Sequence, residues 1–377
     1  MKRQALLRRL HMVKAMFTSL PFRLELRGVP SHRMTYLSPV IAIVLTLLLG
    51  ALLFMALGKD PIAGLKVFLV DPFSSKRAIS ELLLKSIPLI LCALGLAVCF
   101  RASIWNIGAE GQFTVGALCA GALLVWIDVP EHAIPGGLGL ILMIVAGVIG
   151  GAFWAGITAL LRDKFNANEI LVSLMLTYVA QLLLMYAVNG PLKDPNGMNF
   201  PQSKVFSGEF MLPMLMSGTR LHIGFAVTIV AAIVMAIFMM RSFRGFSLMV
   251  GGVAPHAARY AGFSSRNALW VSLLISGGFA GLAGAFEIAG PIGQLLPSVS
   301  PGYGFAAIIV AFIGRLHPIG AVFGGLIMSL LYLGGELAQS RLGLPSAITG
   351  VFQGMLLFLL LACDTLIDYR LRWKKQA

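Results

Sequence analysis

The chain has 377 residues, of which 58% are hydrophobic and 12% charged. That balance excludes a soluble globular domain, and the continuous apolar runs exclude the alternating strands of a β-barrel. The net charge of +14 comes from basic residues gathered in particular loops, so it points to membrane topology and not to nucleic acid. Cys92, Cys99, Cys119 and Cys363 lie in or beside apolar segments with no metal-ligand spacing, so they read as packing residues, and no metal or cofactor is expected.

The first 39 residues form a basic arm with eight Lys or Arg and no apolar core of signal-peptide type. An amphipathic stretch lying on the inner leaflet and a solvated tail are both open for it. The membrane part is expected over residues 40–367. Its apolar segments are Val40–Leu57, Glu81–Phe100, Glu110–Ile127, Gly136–Leu161, Glu169–Val188, His222–Met240, Ala268–Ala289, Phe305–Ile313, Ile319–Leu333 and Ser346–Thr365. Most approach the ~20 residues that span a bilayer; Phe305–Ile313 is too short to cross without tilt or a partner. An all-α, polytopic transmembrane helix bundle of about 8–10 spans with broken helices follows. A polar loop with four prolines covers residues 189–221, a basic loop covers 241–267, and a basic tail covers 368–377.

If each segment crosses once, 20 Lys and Arg fall on the side of the N-terminus and eight on the other. The positive-inside rule then places both termini in the cytoplasm. With 42 glycines, the bundle is expected to pack closely.

Two regions break the apolar pattern. Residues 100–112 carry Arg101, Asn106, Glu110, Gln112 and two glycines between long apolar segments. Polar groups at that depth persist where they face protein or a water-filled path, and broken helices are where transporters place their conduits. The second break is the Pro/Gly-rich stretch 290–304, and the order helix, break, helix near 82–127 recurs near 268–313. Asn106, Glu110 and Gln112 have two roles open to them: hydrogen bonding a solute, or capping the break. Tyr178 and Gln181 share one face of a span and are candidates for pore lining. Glu287 is at the outer end of its segment, a position for a vestibule. Tyr303 has stacking on a base or plain packing open to it. Asn168 and Glu169 read as a helix start.

In the basic loop, Pro255 and Gly262 bracket about two helical turns containing His256, Ala258, Arg259 and Tyr260. So short a helix needs a surface to dock on. A plain connector and a coupling helix pressed into a cytoplasmic partner are the two readings. The chain has no GxxxxGK[ST], HExxH or GxSxG, so it has no phosphate cradle of its own and is not expected to be an enzyme.

Three stretches carry a family likeness: Phe100–Gln112; Asn168–Ile170 with Ser173–Tyr178; and Gly302–Phe305 with Gly314–Arg315 and His317–Gly320. With them, the chain resembles the permease subunit of ABC importers of the branched-chain amino acid, ribose and nucleoside group, nearest its nucleoside and simple-sugar members. The resemblance covers about residues 80–365. It implies a bacterial inner-membrane importer of nucleosides or related sugars, with another sugar or a branched-chain amino acid as the alternative solute. A self-sufficient secondary transporter is the alternative of a different class. The resemblance further implies cytoplasmic ABC ATPase subunits docked on residues 251–262, an extracytoplasmic solute-binding protein, and a second permease subunit in the bilayer.

Overall fold

The computed structural model describes residues 22–29, 31–129 and 134–373. The element order is β1 (Phe22–Leu26), α1 (His32–Ala56), α2 (Pro61–Leu69), α3 (Lys76–Arg101), α4 (Ala109–Ile127), α5 (Gly136–Phe165), α6 (Glu169–Asn189), α7 (Gly224–Arg241), α8 (Phe243–Val253), α9 (Pro255–Tyr260), α10 (Ser265–Glu287), α11 (Tyr303–Ile313), α12 (Pro318–Leu342), α13 (Ala347–Asp368) and β2 (Tyr369–Trp373). Among the described residues, nine helices are long and apolar enough to cross a membrane. The chain is a multi-pass, all-α membrane protein, and α11 is a half-length helix among full spans.

Helices begin where a short polar side chain can take a backbone N–H that the helix leaves unpaired. Ser75 accepts the Ala78 amide at 3.1 Å, Ser242 the Gly245 amide at 2.9 Å, and Asn168 the Ile170 amide at 2.9 Å. Asn166 and Gly343 end α5 and α12 in the left-handed conformation, with φ of 52° and 64°. Ser31 caps α1, which therefore starts at His32 and runs through Pro39. The expected start at Val40 is corrected: proline removes one donor but does not end a helix that is already capped upstream. Most of the basic arm, residues 1–21, lies outside the described residues.

Two compact units are present. One combines the two ends of the chain. In it β1 pairs antiparallel with β2 from Phe22↔Trp373 to Leu26↔Tyr369, Glu25 pairs with Arg370 and Arg372, and Ser38 Oγ donates to Asp364 at 2.7 Å. Residues 369–373, expected as part of a plain tail, are thus a strand.

The other unit runs from Lys59 to Gln353. Its central helix, α3, is buried along most of its length. Helices α4, α5 and α10 meet through small residues: a Cβ on Gly281 would overlap the Gly147 carbonyl, and one on Gly116 would overlap the Gly281 backbone. In a bilayer, where burial against lipid gives little drive, such close backbone contact is what holds helices together. Trp154 on α5 donates from Nε1 to the Leu176 carbonyl of α6 at 3.2 Å. Between α7 and α10, the expected basic loop contains two helices, α8 and α9, where the sequence showed only the second.

Candidate functional site

The first break, residues 102–108, is tied by side chains. Asn106 and Gln112 form a reciprocal amide pair, with Nδ2 to Oε1 at 3.0 Å and Nε2 to Oδ1 at 3.1 Å. Asn106 also donates to Ser276 Oγ on α10 and accepts the Gly108 amide, each at 3.0 Å. Ser173 on α6 accepts the Ile107 amide at 3.2 Å. Asn106 and Gln112 are buried, and this network uses their hydrogen-bonding groups on protein.

Glu110 serves the second break. Its Oε2 accepts the Gly304 amide at 2.7 Å, inside the first turn of α11. Ser300 Oγ accepts the amides of Gly302 and Tyr303 at 3.1 and 3.0 Å. Three consecutive N–H groups at the start of the half-helix are therefore satisfied, and its positive end is occupied by a carboxyl group of the same chain. Gly304 permits the approach, because a Cβ there would overlap the Glu110 backbone. Of the two roles open in the sequence, the geometry of Asn106, Glu110 and Gln112 supports holding the breaks together.

Tyr303 is buried, edge-on to Phe113 and to Tyr332 with centroid distances of 6.3 and 5.3 Å. Packing accounts for its ring. Tyr178 and Gln181 are not brought to the Asn106 network; both are exposed on α6, while the buried Thr177 meets Gly111. Glu287 is half-buried in the last turn of α10.

Two ion pairs link α3 to its surroundings at its N-terminal end. Lys85 on α3 reaches Glu336 on α12 at 2.7 Å, and Arg220 binds Glu81 on α3 through two contacts of 2.7 and 2.9 Å. That carboxylate raises the pKa of the Arg220 guanidinium above its ordinary value. Sequence reading missed these pairs. The available signal was a charge pair four residues apart, Glu81 and Lys85, at the head of an otherwise apolar span. Nearby, His222 is buried just before α7 and takes the Gly224 amide on Nδ1 at 3.1 Å; burial lowers its pKa to about 4.

The opposite end of this unit carries α8 and α9. Ala258 is the buried contact of α9, whereas Pro255, His256, Arg259 and Gly262 are exposed and Tyr260 is 98% exposed. Phe263 anchors the loop edge-on against Phe243 and Phe246. A cleft of about 1050 Å³ opens here, bordered by Ser103, Arg162, Glu169, Arg244, Arg259 and Arg266. Ion pairs Arg266–Asp163 at 2.8 Å and Arg162–Glu169 at 3.4 Å fix its rim. Ser103, at φ 55°, donates to the Gly252 carbonyl at 3.0 Å, and Gly252 lies against the Arg101 carbonyl so closely that a Cβ would overlap it. The loop that bears α9 is thereby in direct contact with the first break.

Residues 78–361 match the family described as branched-chain amino acid transport system / permease component. The chain is 35% identical to a glucose ABC transporter permease protein of Haloferax volcanii, over 91% of each chain. It is 31% identical to a guanosine ABC transporter permease protein of Bacillus subtilis, over 84% of this chain and 90% of the relative. A nucleoside ABC transporter permease protein of Lactococcus lactis is 30% identical, over 85% of this chain and 89% of the relative.

Proposed function

The chain belongs to the permease-component family of branched-chain amino acid transport systems, and from that premise we propose that it carries nucleosides or related simple sugars into the cell as the membrane subunit of an ATP-binding cassette importer. The solute class rests on relatives named for guanosine, nucleosides and glucose. It works in the plasma membrane with both termini in the cytoplasm, in line with the Lys and Arg distribution. Its partners are two cytoplasmic ATPase subunits, an extracytoplasmic solute-binding protein and a second permease subunit.

The observation that carries this reading is α9. It is a six-residue helix held on one side by Ala258 and bare on the other, at the end of the unit where α8, α9 and the basic cleft lie. So short a helix is held by what it touches, and its bare face offers His256, Arg259 and Tyr260 to an ATPase. Nucleotide drives transport only by favouring one permease conformation over another. The route for that bias is short. Movement of α9 shifts α8, the Gly252 contact moves residues 101–103, and the Asn106 network passes the shift to α10 and α6. Glu110, between Gly108 and Gln112 of that network, holds the first turn of α11. Tyr178 and Gln181 lie on the exposed α6 face available to a second permease subunit.

Proteoliposomes containing the permease, its ATPase and its binding protein test the proposal. ATP-dependent uptake of tritiated guanosine or glucose is the expected result. Uptake that persists without the ATPase would overturn it in favour of a self-sufficient carrier.

A further inference from the structure

The two-stranded sheet has a pattern that neither the packing nor the coupling described above uses. β1 and β2 are strands of five residues each, and residues directly opposite one another share a face of the sheet. The register sets Phe22 opposite Trp373, Leu24 opposite Leu371 and Leu26 opposite Tyr369, so all six positions of one face are apolar or aromatic. Arg23 opposite Arg372 and Glu25 opposite Arg370 make up the other face. Three arginines against one glutamate leave two positive charges in excess there. The ribbon therefore has one apolar and one cationic side.

Its place in the chain says what the apolar side meets. β2 begins at Tyr369, the residue directly after α13, and only residues 27–31 separate β1 from α1. That short connection is stitched to the end of α13: the Arg27 and Ser31 amides donate to the Asp368 and Ile367 carbonyls at 2.7 and 3.0 Å, and Arg27 Nε donates to the Tyr369 carbonyl at 3.2 Å. Both α1 and α13 are long and apolar enough to span a membrane. His32 and Arg33 at the start of α1, and Asp364 and Asp368 in the last turns of α13, mark where the two spans leave the hydrocarbon. The ribbon is thus fixed at the bilayer surface. Standing upright, five extended residues would reach about 17 Å from there, against a headgroup layer of roughly 5–8 Å on each side. That would carry an apolar face into water, whereas lying flat keeps it at the boundary. On this face Leu26 is 65% and Tyr369 39% exposed, and Val29 and Tyr36 are exposed beside it. Tyrosine is a residue type that settles at headgroup level. On the other face Arg370 and Arg372 reach Glu25 at 3.0 and 3.2 Å yet stay about half exposed, so each keeps N–H donors for a second, anionic partner.

We propose that the β1–β2 ribbon is a lipid-binding anchor that lies flat on the anionic inner leaflet, its apolar face at the boundary of headgroups and acyl chains and its arginines at the level of the lipid phosphates. The side of the membrane is taken from the topology proposed above; contact with lipid does not depend on it. An isolated pair of strands is marginal in water, and the lipid surface supplies the layer that its apolar face lacks. The excess positive charge selects anionic headgroups over zwitterionic ones.

The test is the depth of a nitroxide label on the full-length permease in vesicles of phosphatidylethanolamine and phosphatidylglycerol. Cys92, Cys99, Cys119 and Cys363 are replaced by alanine, and Leu26→Cys or Arg372→Cys carries the label. At position 26 the label should be more accessible to oxygen than to a water-soluble nickel chelate, at about 5–10 Å into the boundary layer. At position 372 the preference should reverse. Tyr369→Cys repeats the measurement from the other strand, should a label at position 26 unpair the ribbon. Exchanging phosphatidylglycerol for phosphatidylcholine should move the label at position 26 toward water. Labels open to nickel at both 26 and 369 would overturn the anchor. So would a label at 26 screened from both reagents, which would mean that protein, the chain's own first residues or a partner, covers that face. An unchanged depth without phosphatidylglycerol would overturn the recognition of anionic lipid. The topology is read separately: a thiol at position 372 that reacts with an impermeant maleimide outside intact cells would overturn the cytoplasmic placement and leave the lipid contact standing.

Discussion

Replacing Glu110 with leucine should detach the start of α11. The Gly304 amide, buried and bonded to Glu110 Oε2 at 2.7 Å, would lose its only acceptor among the contacts described. A buried donor left unpaired costs about 1–3 kcal/mol. A specific unfolding entropy of ~2.1 cal/mol/K per residue, over 377 residues, converts this to a fall in Tm of roughly 1–4 °C. Glu110→Gln keeps an acceptor oxygen at the same reach and should lose less than half as much. The assay is built into the chain: Cys92 and Cys99 on α3 are fully buried, so a thiol-reactive fluorophore reports unfolding as they become accessible. An unchanged Tm for Glu110→Leu, or a Gln variant that falls as far as the Leu variant, would refute the capping argument.

Reversing charge on α9 with Arg259→Glu should abolish solute-stimulated ATP hydrolysis while the variant still inserts in the membrane; normal stimulation in a reconstituted complex would argue against docking there. Gly281→Val should cost about 1–3 kcal/mol by forcing α10 away from α5, read as a lower Tm and reduced yield of monodisperse protein. His222 is held neutral in the fold, with its pKa at about 4, below that of an exposed imidazole. The unfolded chain therefore binds the extra proton between about pH 6.5 and 4, and stability should fall as pH drops through that window. A His222→Asn variant should flatten the dependence of Tm on pH over the same range, and an unaltered slope would show that other groups are responsible.

The spans were legible because a bilayer demands long apolar runs, and no tertiary contact can excuse their absence. The first break was legible for the converse reason, since Asn106 and Glu110 cannot sit among lipid tails, and the second by its prolines and glycines. The start of α1 was not, because Pro39 gives a stop signal that the Ser31 cap overrides from eight residues upstream. Helix α8 was hidden among the arginines of a loop whose basic character signalled orientation more strongly than helix. Hardest to see were partners distant in sequence. That Asn106 bonds Ser276, or that Lys85 meets Glu336, depends on which faces α3, α10 and α12 turn to one another, and near-uniform hydrophobicity leaves those faces unmarked.

The pairing of β1 with β2 bears on how the protein is made. Residues 22–26 reach their hydrogen-bonding partners only once residues 369–373 have left the ribosome. At about 5–20 residues per second, that is a delay of roughly 20–70 s during which the intervening helices are inserted. Closure of this small sheet is therefore a late assembly step, and it ties the first span to the last after the rest of the chain has entered the membrane.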